Sequence, residues 1–154
     1  LGLITPEVTA LREACGYPGM RILQFAFGSG PANPYLPHNL ERQCVAYTGT
    51  HDNETTVGWW ASAMTGEKNA ARDYLGPCMD AEPHWTLIRA LSQSIASTLI
   101  LPFQDVLGLD TRHRMNTPGL ATGCWEWRFE WTQVNHEPAE RLAAMTRAHG
   151  RWAG

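Results

Sequence analysis

Apolar positions along this chain gather into three short runs, and helical spacings fill the stretches between them. Met20 to Phe27 (MRILQFAF) reads as a strand, and its almost unbroken apolar character predicts burial on both faces. Cys44 to Thr48 reads as a second, and Leu99 to Val106 (LILPFQDV) as a third, although Pro102 removes one ladder hydrogen bond inside it. Ahead of the first run, Leu1 to Ile4 reads as the tail of a strand or the loop after one. Thr5 then caps a helix with Pro6 at its first position, Val8, Leu11 and Cys15 on its apolar stripe, and Gly16 as its stop. After the second run the period changes again. Val57, Trp60, Ala61 and Met64 recur at spacings of three and four, predicting a helix from Glu54 to about Met64. Asn53 is its expected cap, and Glu54 complements the dipole in its first turn.

Gly66 breaks that pattern, and a second helix is expected from Glu67 to Leu75, ending at Gly76-Pro77. A third is expected over His84 to Thr98, with Trp85, Ile88, Leu91, Ile95 and Leu99 on one stripe, and a last over Pro138 to His149 with Leu142 and Met145 inward. Gly28 to Arg42 and Gly108 to Phe129 read as irregular. The first of these loops is long for a simple connection, so its Tyr35, His38 and Asn39 either line a site or cross a surface stiffened by prolines.

Apolar strands alternating with helices predict the α/β class, with a parallel sheet built of βα units. Three strands cannot close a barrel, and a sheet that small leaves its edges bare. The alternatives are a very small open sheet or the C-terminal part of a (β/α)8 TIM barrel. The start at Leu1, without a methionine, reads as a cut and favours residues 1–154 as the C-terminal portion of such a barrel.

Composition narrows the function classes. With 154 residues the chain is long enough for one domain with a core, and its net charge of -3 gives no electrostatic case for nucleic acid or an acidic membrane. No run reaches the length of a membrane span and no signal peptide is visible. Cys15, Cys44, Cys78 and Cys124 lie far apart with no CxxC pair, so neither a zinc site nor a disulfide framework is suggested and a cytoplasmic location is expected. The seven tryptophans suit either a core or stacking on sugar faces.

The stretch with the most chemistry is CVAYTGTHDNETTVGWW, residues 44–60. A buried strand there delivers His51 and Asp52 to the carboxyl end of the sheet, which is where ligands bind in parallel α/β folds. A carboxylate so placed can accept hydrogen bonds from vicinal sugar hydroxyls and favour a positive, oxocarbenium-like transition state. The same residues also fit a bland turn in which Asp52 accepts backbone N–H groups. A metal site using His51, Asp52 and His38 is a further alternative, with no helical histidine pair to support it. Retaining glycoside chemistry needs two facing carboxylates. Glu54, Asp105, Asp110 and Glu126 are the other candidates, and none pairs convincingly with Asp52 from sequence.

Six segments, ITPEV (4–8), QFAFG (24–28), NPYLPHN (33–39), YTGTHDNETT (47–56), FQDVLGL (103–109) and RMNTPG (114–119), run in order along the chain. Together they resemble the 4-α-glucanotransferases, also called amylomaltases or disproportionating enzymes, of glycoside hydrolase family 77. The resemblance implies a (β/α)8 barrel with inserted subdomains. It also implies transfer of a segment of an α-1,4-glucan to a glucose or glucan acceptor through a covalent intermediate, with no cofactor. It implies that Asp52 is the transition-state-stabilising carboxylate, that His51 hydrogen-bonds the sugar, and that Phe25 and Asn116 line the glucan groove.

Two departures from the family pattern matter. The acid/base glutamate of the family lies in an EDLG motif of which Leu1-Gly2 match only the last two letters, and the nucleophile belongs to a still earlier strand. The chain by itself is therefore expected to be inactive. Cys124 stands where the family commonly has asparagine, before Trp125. The main alternative is a non-catalytic carbohydrate-binding module using tryptophan and phenylalanine platforms.

Overall fold

A computed structural model describes residues 4–152; the reading of Leu1 to Leu3 lies outside the described residues. In chain order the elements are helix α1 (Pro6–Ala14), strands β1 (Gly19–Ile22) and β2 (Cys44–Tyr47), helices α2 (Thr56–Ser62), α3 (Thr65–Leu75), α4 (Cys78–Ala81) and α5 (Pro83–Ser92), strand β3 (Thr98–Ile100), helix α6 (Phe103–Val106) and helix α7 (His136–Ala148). The strands form one parallel sheet in the order β1-β2-β3. Val45 pairs with both Met20 and Thr98, and Tyr47 with both Ile22 and Ile100. The expected α/β class with three parallel strands is what the described residues form.

Alternation sorts the strand side chains. Cys44 and Ala46 are wholly buried, with Leu99 beside them, in a core completed by Leu23, Phe27, Trp60, Met79, Leu87 and Leu91. Helix α5 supplies the centre of this layer, because Leu87, Ile88 and Leu91 recur at one-turn spacing. Ile88 and Trp85 also meet Val106 and Met145, which fastens α6 and α7 to the same helix. The opposite face of the sheet carries Met20, Val45, Tyr47 and Ile100, of which Met20 and Ile100 are 37% and 47% exposed. The expected burial of β1 on both faces is therefore incomplete among the described residues.

The strands are shorter than their apolar runs. β1 stops at Ile22, and Leu23–Phe25 turns into a 3-10 helix closed by the Ala26 N–H on the Leu23 carbonyl. Asn33 Nδ2 takes the Phe25 carbonyl at 2.9 Å, so that group leaves the ladder without being orphaned. β3 ends at Ile100, and Pro102, with no N–H to give, becomes the cap of α6. Helix α5 ends at Ser92, short of the predicted Thr98. There Arg151 donates to the carbonyls of Ser92, Ser94 and Ala96 at 2.8, 2.6 and 2.7 Å, leaving Ile95 exposed. Gly66 sits inside the first turn of α3 and does not break it. On α1 the stripe expected to face inward is open: Val8 and Leu11 are 52% and 66% exposed, since none of the described elements covers them.

Candidate active site

Three chain segments leave the carboxyl ends of the three strands and meet around one cleft of about 810 Å³. Its walls include Phe25 after β1, His51 and Asp52 after β2, Gln104 after β3, and Arg114 and Trp125 from the long irregular segment.

The turn after β2 is built by short side chains. Asn53 Oδ1 accepts from the Thr50 N–H at 2.9 Å and the Thr50 hydroxyl at 2.7 Å, while the Asn53 N–H returns to the Thr50 carbonyl. Asn53 is thus a turn residue, and the predicted cap role passes to Thr55, whose hydroxyl accepts from the Gly58 N–H at 3.1 Å. Gly49 leaves room for Gln24, whose Nε2 would stand 2.7 Å from a Cβ added there and would have to shift. That amide crosses beneath the turn to the Glu54 carbonyl, at 2.9 Å. Everything under the turn is pinned, and the two residues at its tip are turned outward.

Asp52 is one of those two. Its side chain is 50% exposed and opens on the cleft, away from the packed core. Oδ1 accepts from Asn116 Nδ2 at 2.6 Å, and His51 Nε2 lies 3.4 Å away. The Asn116 N–H also donates to the His51 carbonyl at 3.1 Å, so Asn116 is fixed to this turn through both backbone and side chain. On the far side of His51 the Trp125 indole lies 4.9 Å from its ring centroid. Trp125 has φ of 67°, the one non-glycine residue with positive φ among the described residues, and its N–H is held by the Met115 carbonyl at 2.7 Å. Phe25 is 44% exposed on another wall, braced edge-on by Tyr35 at 5.7 Å. All four residues named from sequence, Asp52, His51, Asn116 and Phe25, therefore converge on one end of the sheet.

The remaining carboxylates behave differently from one another. Asp105 is buried, with 1% exposure, and accepts from the Thr48 hydroxyl, from the Thr56 N–H at 2.7 Å and from the Thr56 hydroxyl at 2.9 Å. Burial pushes its carboxyl above the usual carboxylate range, against the pull of those three donors. It joins β2 to the start of α2 and does not present an oxygen to Asp52. Glu54 lies ahead of the helix cap and receives Arg114 Nη1 at 3.3 Å. Asp110 caps a 3-10 turn and binds Arg112, and Glu126 is exposed elsewhere.

The loop over residues 28–42 holds itself together. Asn39 Nδ2 reaches the carbonyls of Pro31 and Asn33 at 2.8 and 2.9 Å, and Asn33 Oδ1 accepts from the Tyr35 N–H. His38 pairs with Tyr74 through Nδ1 at 2.8 Å and with the Pro31 carbonyl through Nε2 at 3.1 Å. Both ring nitrogens are engaged away from the cleft, which removes His38 from the metal alternative. No group of three metal-ligating side chains occurs among the described residues. Sequence reasoning quoted Arg114 within RMNTPG and Trp125 beside Cys124 but gave neither a role; the long irregular stretch from Gly108 to Phe129 that holds both was the available signal.

A sequence model of the 4-alpha-glucanotransferases, glycoside hydrolase family 77, matches residues 1–134. The chain belongs to the 4-alpha-glucanotransferase family. A 4-alpha-glucanotransferase of Synechocystis is 46% identical over 152 residues, covering 98% of this chain and 30% of that protein. One of Thermus thermophilus is 44% identical over 98% of this chain and 32% of its own length, and a chloroplastic or amyloplastic one of Arabidopsis thaliana is 49% identical over 84% and 22%. A solved amylomaltase from Streptococcus agalactiae, in complex with acarbose, superposes with a TM-score of 0.94 at 30% identity, covering 99% of this chain and 31% of that one. The chain thus spans about a fifth to a third of the length of the 4-alpha-glucanotransferases it matches. Membership of this family does not favour the alternative of a stand-alone carbohydrate-binding module.

Proposed function

We propose that the full protein is a 4-α-glucanotransferase that passes a segment of an α-1,4-glucan to a glucose or glucan acceptor by a retaining two-step route. In this reading residues 1–154 are the C-terminal portion of its (β/α)8 barrel. The half-open apolar face of the sheet, with Met20 and Ile100, is the part of a barrel lining that further strands would complete. The acarbose complex of the Streptococcus agalactiae relative supports an α-glucan as the ligand class.

Asp52 is the residue that stabilises the transition state. A retaining transfer develops positive charge on the glucosyl carbon and its ring oxygen, and a carboxylate fixed in advance lowers the barrier without reorganising. Asn116 and His51 hold that carboxylate in place and share the sugar hydroxyls with it. Phe25 and Trp125 offer the flat apolar surfaces on which a pyranose rests. The nucleophile and the acid/base belong, on the family pattern, to sequence preceding residue 1. No helix among the described residues is long and apolar enough to cross a membrane. The four cysteines are free thiols, which accords with a cytoplasmic enzyme in our reading, although plant relatives carry the description chloroplastic or amyloplastic.

One observation carries this reading: the Asp52 carboxylate sits half exposed at the carboxyl end of β2, in a cleft walled by Phe25 and Trp125. The test is disproportionation of maltotriose by the full-length enzyme. Asp52→Asn is expected to lower kcat by roughly 10²-fold or more, the scale of losing one preorganised electrostatic contact, with the melting temperature nearly unchanged. Near-normal turnover would remove Asp52 from this role.

A further inference from the structure

Arg114 lies 62 residues from Asp52 in sequence, yet its guanidinium reaches three separate groups of the site. Nη2 donates to the Asp52 carbonyl at 3.1 Å, Nη1 to Glu54 Oε2 at 3.3 Å, and Nε to the Asn116 carbonyl at 3.2 Å. The side chains of Arg114 and Glu54 are 22% and 19% exposed, so the pair is sheltered beneath the turn. Of the three acceptors only Glu54 contributes a side chain, and it lines the cleft beside Arg114. Two are main-chain carbonyls of residues whose side chains do face the cleft, and the third is a carboxylate tied by its other oxygen to the Thr55 N–H at 3.0 Å.

We propose that Arg114 is a positioning residue for glucan transfer: its planar fork locks the strand-end turn to the 114–116 segment, and so sets Asn116 Nδ2 against Asp52 Oδ1. The proposal rests on the role given to Asp52 above. Its physical content is geometric. Three N–H vectors diverge from one rigid plane, and a lysine ammonium, whose donors share a single atom, cannot span the same three acceptors. Glu54 has a second part in the arrangement. By taking the positive charge of Arg114, it leaves the carboxylate of Asp52 uncompensated for the charge that develops on the sugar. Without Glu54 the guanidinium is free to turn to Asp52 itself and neutralise it.

The experiment compares four variants of the full-length enzyme on maltotriose: Arg114→Ala, Arg114→Lys, Asp52→Asn and the double variant Arg114→Ala with Asp52→Asn. Arg114→Ala is expected to lower kcat by about 10-fold or more with KM changed by less than about threefold, because what is lost is alignment for the transition state. Arg114→Lys recovers only part of the rate. In the Asp52→Asn background, Arg114→Ala costs less than about threefold further, since the residue it aligns has already lost its charge. A full additional 10-fold loss in that background would show that Arg114 acts independently of Asp52 and would overturn the proposal. So would normal kcat for Arg114→Ala in an enzyme that Asp52→Asn cripples, which leaves the role of Asp52 standing. A normal rate for Asp52→Asn overturns that role instead. If Arg114→Ala does not fold, Glu54→Gln decides: it is expected to lower kcat in the native background and to have little effect beside Asp52→Asn, and an unchanged kcat would sink the idea.

Discussion

Replacing Asp105 tests how the frame beneath the cleft is held. Its two oxygens satisfy three donors, the Thr56 N–H and the hydroxyls of Thr48 and Thr56, and both threonines are themselves wholly buried. Asp105→Ala leaves the N–H with no acceptor and forces both hydroxyls to find other partners. A buried donor left unmade costs about 1–3 kcal/mol. With the hydroxyls partly rescued by rotation, the total comes to about 3–5 kcal/mol, a large share of the 5–15 kcal/mol by which a typical domain is stable. Asp105→Asn keeps the shape and one acceptor and is expected to cost about half as much. Urea unfolding of the full-length protein, followed by tryptophan fluorescence, reads both values. Acidity adds a signature. Because burial raises the Asp105 carboxyl above its unfolded value, its contribution is greatest in acid and declines as pH rises from the ordinary carboxylate range through the raised value. The stability advantage of native over Asp105→Asn protein therefore shrinks with rising pH across that window. An alanine variant that loses less than about 1 kcal/mol, or an asparagine variant as unstable as alanine, would refute the account of a satisfied buried carboxylate.

Two further substitutions probe the ends of the fold. Arg151→Ala removes the donors that gather the carbonyls of Ser92, Ser94 and Ala96 at the end of α5, and is expected to cost about 2–4 kcal/mol in the same urea titration while leaving KM for maltotriose unchanged. Trp125→Gly relaxes a left-handed backbone worth about 1–2 kcal/mol of strain but deletes the indole beside His51, so stability is expected to hold or rise while KM for maltotriose increases several-fold; a lower melting temperature with unchanged KM would contradict this.

The cores of the strands and the placing of the polar group after β2 were legible from the chain alone because both are local. The apolar run Cys44 to Tyr47 corresponds to β2, and the polar group after it stands at the carboxyl end of the sheet. Where the reading went astray, side-chain partners decided, several of them distant in sequence. Gln24 and Asn33 end β1 early by bonding to the turn at Glu54 and to the Phe25 carbonyl. Arg151, at the far end of the chain, stops α5 at Ser92. Asn53 serves its own turn instead of capping a helix, because Thr50 is in reach and Thr55 is better placed. Asp105 was ambiguous between site and scaffold for the same reason. Only the fold brings Thr48 and Thr56 to it, 57 and 49 residues away in sequence. Arg114 shows the limit most clearly, since an arginine within an irregular segment carries no periodicity that would mark its target.

In the proposed reading, the asparagine-laced loop between β1 and β2 has a consequence for how a glucan is captured. Asn33 and Asn39 immobilise that segment through main-chain carbonyls, so the entropy of ordering it is spent once, when the chain folds. A glucan reaching Phe25 then meets a wall already in its final shape, and little binding energy is diverted to freezing it. Loosening the lacing, by contrast, is expected to slow capture and shorten residence together.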